Sequence, residues 1–112
     1  MGYFDGKTVI VTGGNGFLGR YVVARLDQAG CKKIIIPRSA EYDLTEENAI
    51  IKLFEKAKAN IVIHLAASVG GIGANQQNPG PFFYNNAVMG LQLIEQARLF
   101  GIDKFVIISL FR

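Results

Sequence analysis

The chain has 112 residues, 50% of them apolar and 19% charged, and a formal net charge of +3. This length allows one domain with a packed core, and the interspersed lysines and arginines form no basic stripe for nucleic acid. No apolar run approaches the ~18 residues of a membrane span and no signal-peptide pattern is present, so we expect a cytoplasmic protein without nucleic-acid or membrane partners.

Strands and helices alternate along the predicted chain. We expect strands at residues 8–11, 33–36, 61–65 and 104–109, and helices at residues 17–29, 46–58 and 84–100. Gly30 is the expected cap at the end of the first helix, and Thr45 the expected cap at the start of the second. The Gly-, Asn- and Gln-rich segment 67–83 is expected to be a loop, of a length that is usually functional or disordered.

The strands are apolar almost throughout, which is typical of a parallel sheet covered by helices on both faces. The fold class is therefore α/β, a partial Rossmann fold of four strands. We expect the strand order 3-2-1-4, with the switch point between the first and fourth strands.

Four glycines lie within residues 13–19, directly after the first strand. Gly14-x-Gly16-x-x-Gly19, or Gly13-x-x-Gly16-x-x-Gly19 in a second register, joins a predicted strand to a predicted helix, as a dinucleotide-binding fingerprint requires. Such glycines let the backbone approach a pyrophosphate, which then meets the positive end of the helix. The alternative is a glycine-rich turn of another α/β protein, which the complete strand–loop–helix unit disfavours.

The end of the second strand bears on the choice of cofactor. It reads Ile36-Pro37-Arg38, without the carboxylate that holds the ribose 2′-OH in NAD-binding sites. Arg38 would instead pair with a 2′-phosphate, so NADP(H) is preferred over NAD(H). The alternative for Arg38 is a solvated loop charge.

Other reactive side chains have plainer interpretations. His64 ends an apolar strand and is expected to be packed and hydrogen-bonded, and Cys31 has no evident base partner. This lone histidine and lone cysteine are far apart in the sequence, so no metal site is expected. Tyr3 and Lys7 match Tyr-x-x-x-Lys by spacing but precede the first strand, and we expect no catalytic role for them.

Three segments resemble the extended short-chain dehydrogenases/reductases, which are NAD(P)-dependent nucleotide-sugar epimerases, dehydratases and reductases. They are residues 12–19 (TGGNGFLG), 64–67 (HLAA) and 86–90 (NAVMG). The longer stretch 64–86 (HLAASVGGIGANQQNPGPFFYNN) resembles the NADPH-dependent members that convert GDP-4-keto-6-deoxymannose to GDP-fucose. The resemblance implies that residues 1–112 are the N-terminal half of an NAD(P)-binding Rossmann domain, with a nucleotide-sugar substrate for the full-length protein.

The resemblance also implies a set of cofactor-binding residues. The pyrophosphate would lie on the glycine loop, at Gly13, Gly16, Phe17, Leu18 and Gly19. Arg38 would bind the 2′-phosphate, and Asp43 and Leu44 would approach the adenine. The rest of the cofactor would lie above the third strand, near Ala66, Ala67, Ser68 and Asn86. Residues 69–72 would border the nicotinamide and sugar pocket.

Catalysis in the resembling family depends on a Ser or Thr beyond the fourth strand and a Tyr-x-x-x-Lys on the next helix. This chain reads Ser109-Leu110-Phe111-Arg112 at that point and then ends, apparently truncated. We therefore expect no catalytic residue and no turnover by the chain alone. Two alternatives are a stand-alone, non-catalytic nucleotide-binding module and a fragment of another nucleotide-sugar epimerase/dehydratase.

Leu91, Ile94 and Leu99 are apolar positions of the last helix. Packing on the sheet is the favoured interpretation. The resemblance implies the alternative, a helical interface of a homodimer.

Overall fold

The computed structural model describes residues 2–13, 16–38, 40–66 and 79–109. Within these residues the element types follow the predicted order, and most element bounds lie within two residues of the predicted ones. The strands are β1 (Thr8–Thr12), β2 (Lys33–Ile35), β3 (Ile61–Ala66) and β4 (Lys104–Ser109). The helices are α1 (Phe17–Gln28), α2 (Glu47–Ala57) and α3 (Pro79–Phe100). No helix in this part of the chain is long and apolar enough to cross a membrane.

The start of α3 differs from the prediction. The helix begins at Pro79, five residues before the expected start at Tyr84. Pro79 and Pro81 fall in its first turn, where backbone N–H groups have no intrahelical acceptor and a proline therefore removes no hydrogen bond. The prediction had treated these prolines as loop residues. Residues 67–78 of the expected loop lie outside the described residues.

The helix caps agree with the prediction at one end and differ at another. Gly30 follows the C-cap Ala29 of α1 with φ +88°, a left-handed conformation that glycine adopts without strain, so it closes the helix as predicted. Thr45 is not the cap of α2, because its hydroxyl donates to Asp43 Oδ1 at 2.6 Å. Its backbone N–H donates to the same oxygen at 3.0 Å, and α2 begins two residues later.

The sheet is parallel, with the order β2-β1-β3-β4. The predicted order 3-2-1-4 is wrong, because β3 pairs with β1 and not with β2. Residues Ile61 to Leu65 of β3 are all buried, which requires a neighbour on each side, whereas the three residues of β2 are exposed or half-buried. The long apolar strand therefore lies inside the sheet and the short one at its edge.

The direction of the chain sets the faces of the sheet. It moves from β1 outward to β2, then back across β1 to β3 and on to β4. Since crossovers between parallel strands are right-handed, this reversal puts α1 on one face and α2 and α3 on the other. The switch point therefore lies between β1 and β3, because α1, which follows β1, lies on one face and α3, which follows β3, lies on the other.

Two apolar clusters confirm this layering. The cluster on the α2 and α3 face includes Ile10, Leu44, Ile50, Leu53, Phe54, Val62, Leu93 and Ala97. The cluster on the α1 face includes Val9, Val11, Leu26, Ile61, Ile63 and Leu65. Alternate residues of β1 and β3 thus serve opposite faces, as the two-residue period of a strand requires.

The outer face of α3 corrects another expectation. Leu91, Ile94 and Leu99 are exposed, so the prediction that they pack on the sheet is wrong. The helix buries Leu93, Gln96 and Ala97 instead, a stripe at the i, i+3, i+4 spacing of one helix face. The resulting exposed apolar face remains available for another contact.

Candidate functional site

The glycine loop begins at the carboxyl end of β1. Gly13 has φ +80°, and a Cβ added there would lie 3.0 Å from the Leu65 carbonyl oxygen and 3.1 Å from Leu65 Cβ. A side chain would therefore be strained by its own backbone and would also collide with β3. Glycine at this position lets the loop cross the end of β3 at close range. Gly14 lies outside the described residues.

The N-terminus of α1 follows at once. Gly16 is the N-cap, with its N–H 3.4 Å from the Gly13 carbonyl oxygen and no side-chain cap. The first intrahelical bond runs from Arg20 N–H to the Gly16 carbonyl at 2.9 Å, so the N–H groups of Phe17, Leu18 and Gly19 have no intrahelical acceptor. The first turn contains no acidic residue. This helix end is suited to an anion.

The side chains of the first turn of α1 divide into two groups. Phe17 is 88% exposed, whereas Leu18 packs against the cluster on the α1 face and Gly19 is buried. A buried glycine in the first turn lets α1 pack closely on the sheet beside the loop.

Arg38 lies three residues beyond β2 and is exposed. Its carbonyl oxygen accepts the N–H groups of Glu41 and Tyr42, at 2.9 Å each, which folds the chain into a turn there. Because β2 pairs in parallel with β1, Arg38 follows the same edge of the sheet as the glycine loop. Among the described residues its guanidinium forms no ion pair.

Asp43 and Leu44, the predicted adenine neighbours, face different surroundings. The Asp43 carboxylate is exposed, and its hydrogen bonds from the Thr45 hydroxyl and backbone N–H hold its pKa below the usual value. The Leu44 side chain is buried in the cluster on the α2 and α3 face. Contact with a nucleotide would therefore come from the Leu44 backbone.

Of the remaining predicted site residues, the structure describes Ala66 and the place of Asn86 in its helix. Ala66 is the last residue of that strand and pairs with Ser109 of β4. Asn86 lies in the first half of α3. Ala67, Ser68 and the segment 69–72 are outside the described residues.

A buried polar pair lies where β1 and β3 end, directly before the glycine loop in the chain. Thr12 Oγ1 is 2.6 Å from His64 Nδ1, and the two residues are 2% and 5% exposed. Burial lowers the pKa of His64, so the imidazole is neutral at neutral pH. The expectation of a packed, hydrogen-bonded His64 is confirmed. Thr12 as its partner was missed, because the pairing depends on the register of β1 with β3.

The other reactive groups lie away from this edge. Lys7 Nζ is 4.0 Å from the centroid of the Tyr3 ring, ahead of β1 and therefore at the amino edge of the sheet. The pKa of the Cys31 thiol is raised by burial and then by Asp27 and Asp5, which disfavours the reactive thiolate. The described part of the chain contains no cluster of three or more His, Cys, Asp or Glu residues suited to a metal.

Comparison with known proteins confirms the resemblance. A model of the NAD dependent epimerase/dehydratase family matches residues 9–109. The chain is 34% identical over 109 residues to a GDP-L-fucose synthase of Sinorhizobium fredii, covering 97% of this chain and 34% of that protein. It is 35% identical over 98 residues to a GDP-L-colitose synthase of Yersinia pseudotuberculosis, covering 88% of this chain and 32% of that protein.

A solved structure agrees in fold. A GDP-L-fucose synthetase from Naegleria fowleri, bound to NADP, superimposes with a TM-score of 0.75 at 28% identity, covering 96% of this chain and 32% of that chain. The chain spans about a third of the length of the curated relatives that it matches.

Proposed function

Because the chain belongs to the NAD dependent epimerase/dehydratase family, we propose that it is the NADP(H)-binding part of a nucleotide-sugar epimerase/reductase. The proposed reaction of the whole protein is that of GDP-L-fucose synthase, which converts GDP-4-keto-6-deoxymannose to GDP-fucose. The observation that carries the proposal is the glycine loop between β1 and α1, at the switch point of a parallel sheet. In open α/β sheets, ligands bind in the crevice at that point.

The pyrophosphate of the cofactor is assigned to the glycine loop and the first turn of α1. The backbone N–H groups of Phe17, Leu18 and Gly19 provide hydrogen-bond donors there, and the helix dipole adds a favourable field. Gly13 and Gly16 complete this loop. The absence of an acidic residue from the first turn supports the assignment.

Arg38 is assigned to the 2′-phosphate, which makes NADP(H) the preferred cofactor. Its guanidinium is exposed beyond β2, on the edge shared with the loop. A planar guanidinium can bind a phosphate through two parallel hydrogen bonds. The NADP bound to the Naegleria fowleri relative supports this choice.

The remaining contacts are proposed from the resemblance. Asp43 and the Leu44 backbone would approach the adenine, and Ala66, Ala67, Ser68 and Asn86 would line the path of the cofactor beyond β3. When bound, the nicotinamide supplies hydride transfer. The role of these residues is to bind and orient it.

No catalytic residue is proposed within the chain. Tyr3 and Lys7 are the only pair with Tyr-x-x-x-Lys spacing in the sequence, and they lie at the amino edge of the sheet, opposite the glycine loop. A proton donor must be within hydrogen-bond reach of the reacting group. We therefore propose that these 112 residues bind cofactor without turning over a nucleotide sugar.

A reductase for a different GDP-sugar is the second candidate. The 35% identity to a GDP-L-colitose synthase lies between the 34% and 36% identities to two GDP-L-fucose synthases. Assaying the whole protein with each GDP-keto-sugar separates the two candidates.

The exposed outer face of α3 supports a proposed homodimer. Leu91 is 68% exposed and Ile94 43%, on the face of the helix that is turned away from the sheet. Exposed apolar patches commonly mark protein contacts.

The experiment that tests the cofactor assignment is a calorimetric titration of the chain with NADPH and with NADH. We expect Arg38→Ala to weaken NADPH binding about 10- to 100-fold, since a charged hydrogen bond contributes about 1.5–3 kcal/mol. NADH binding should be nearly unchanged. The matched control is Arg25→Ala, an exposed arginine in the last turn of α1. Equal losses for both cofactors, or for both variants, would contradict the assignment.

A further inference from the structure

The carboxyl ends of β1 and β3 form the seam beneath the proposed cofactor loop. Thr12, the last residue of β1, is the register partner of His64 on β3. The next residues, Gly13 and Leu65, are also in close contact, because a Cβ at Gly13 would lie 3.0 Å from the Leu65 carbonyl oxygen. The distance between the two strand ends therefore limits where Gly13, the first residue of the glycine loop, can lie.

A single short hydrogen bond joins the side chains at this seam. Thr12 Oγ1 and His64 Nδ1 are 2.6 Å apart and almost fully buried. Both side chains point to the α2 and α3 face, because Ile10 and Val62, two residues earlier on each strand, belong to that cluster. A buried bond of this kind fixes a distance more sharply than apolar packing does.

The surroundings of the imidazole contain no counter-charge among the described side chains. On β1 its neighbour is Thr12, and on β4 its register partner is Ile107. On α3, Gly90 lies close to the ring, since a Cβ there would be 3.9 Å from Nε2. Desolvation by burial lowers the pKa of His64, and no charged side chain among the described residues contributes to the shift. A proton on this ring would place a charge in the core that none of these side chains compensates.

We propose that Thr12 and His64 are a positioning pair, which holds Gly13, where the glycine loop begins, in the position that accepts the dinucleotide only while His64 is uncharged. The proposal rests on the proposed function, since the loop is taken to bind the pyrophosphate. It predicts that cofactor and proton exclude each other, although they do not share a site. Linkage then requires each to lower the affinity for the other by the same factor.

The sign of this coupling separates a positioning role from simple proximity. If His64 merely lay near the phosphates, their negative charge would stabilise the imidazolium and raise the pKa of His64 on binding. A pair that must be neutral for binding gives the opposite result, a pKa of His64 that falls further when the cofactor binds.

His64 is the only histidine of the chain, so its ring resonances can be assigned without ambiguity. The experiment follows the ¹⁵N and ¹³C shifts of the imidazole against pH, with and without saturating NADP⁺. We expect the pKa of His64 to lie below its ordinary value of 6.5 and to fall further with NADP⁺. An ordinary pKa, or one that NADP⁺ raises or leaves in place, overturns the proposal.

Matched variants test the bond itself. Thr12→Val removes the hydroxyl at nearly constant shape, and we expect it to weaken NADP⁺ binding about tenfold at pH 7.5, whereas Thr12→Ser stays near the wild type. His64→Asn places an amide near the position of Nδ1 and cannot titrate. The NADP⁺ affinity of this variant should be within a few-fold of the wild-type affinity at pH 7.5. Unlike the wild-type affinity, it should not fall as His64 would become protonated at lower pH. Wild-type affinity in Thr12→Val, or an unchanged pH profile in His64→Asn, overturns the proposal.

Failure of the proposed function would be seen separately, as absence of NADP⁺ binding by the folded wild-type chain. In that case the pair is tested by amide hydrogen exchange at Gly13 and Leu65 in the free chain. Faster exchange in Thr12→Val than in Thr12→Ser supports the positioning role, and equal exchange overturns it.

Discussion

Gly13 and Gly16 are both glycines of the proposed cofactor loop, but for different physical reasons. Gly13 has a positive φ and lies against the Leu65 backbone, whereas Gly16 has φ −80° and a Cβ there would lie 3.8 Å from its nearest described neighbour, the Gly13 carbonyl oxygen. The first glycine is therefore required by the fold. The second has room for a side chain in the free chain, and the role proposed for it is to let a phosphate approach closely.

These two positions can be separated by alanine substitution. We expect Gly13→Ala to lower the free energy of unfolding by about 2 kcal/mol or more, through backbone strain and the clash with β3. Gly16→Ala should lower it by only about 0.5–1 kcal/mol, since alanine is a poorer N-cap than glycine, and still weaken NADPH binding, because the new methyl group meets the pyrophosphate. Urea denaturation and calorimetry measure the two effects. A Gly16→Ala variant as destabilised as Gly13→Ala, or one that binds normally, would refute this division of roles.

At the scale of single residues, the sequence shows which residue types suit a binding site better than it shows which residues contact each other. The glycine spacing could be recognised because a tight loop between strand and helix restricts residue type strongly, whereas the pairing of Arg38 with a phosphate stays a prediction. The Thr12–His64 bond could not be recognised, since Thr12 ends an ordinary β-branched run and its partner is 52 residues away. The burial of Leu44 was missed because it follows a charged residue in an irregular segment.

The start of α2 illustrates how an element can be predicted while its boundary is not. Its apolar residues have helical spacing, and the helix formed where it was expected. Thr45 has the residue type of an N-cap, but Asp43 takes its hydroxyl and its N–H. Asp, Thr and Ser compete for the same backbone groups near helix ends, so the sequence alone does not decide between them.

Thr45→Val tests the hydrogen bond from the Thr45 hydroxyl to the Asp43 carboxylate through the pH dependence of stability. The pKa of Asp43 is lowered in the folded chain. The stability that the ionised carboxylate gains from Thr45 is therefore present above the ordinary carboxyl pKa and is lost as the pH falls through the lowered pKa. We expect the variant to be less stable than the wild type at pH 7, with a difference that disappears as the pH falls below the ordinary Asp pKa of 3.8 and through the lowered one. Asp43→Asn is the control and should show the same flattened acid dependence. A pH-independent difference would contradict this account.

The outer face of α3 gives the second prediction at the scale of an element. Leu91→Lys and Ile94→Lys lie on the exposed side of the helix, so they should leave the free energy of unfolding of the monomer nearly unchanged. Together they should shift a dimer to monomer in sedimentation velocity. The control is Glu95→Gln, which breaks the exposed Arg98–Glu95 ion pair near the same face and should leave the dimer intact. A wild type that is monomeric at all concentrations would rule out the proposed homodimer.

At the scale of the whole molecule, the sequence predicts the fold class but not the strand order. Continuous apolar strands and alternating helices indicate a parallel, doubly covered sheet whichever strands are neighbours. The order depends on which strand needs two partners, and the three residues of β2 are too few to form the inside of the sheet. β3 therefore took the place beside β1. The switch point predicted between the first and fourth strands lies instead between β1 and β3, and the chain still reverses direction next to β1.

The central claim is that the carboxyl edge of the sheet, at the switch point between β1 and β3, binds a dinucleotide. Its most direct test is an amide chemical-shift map of the ¹⁵N-labelled chain during titration with NADPH. We predict saturable shifts at Gly13, Gly16, Leu18 and Gly19, with little change at Lys32, Lys58 and Lys104 on the amino edge. Shifts confined to the amino edge, or no saturable shift in a folded chain, would contradict the claim.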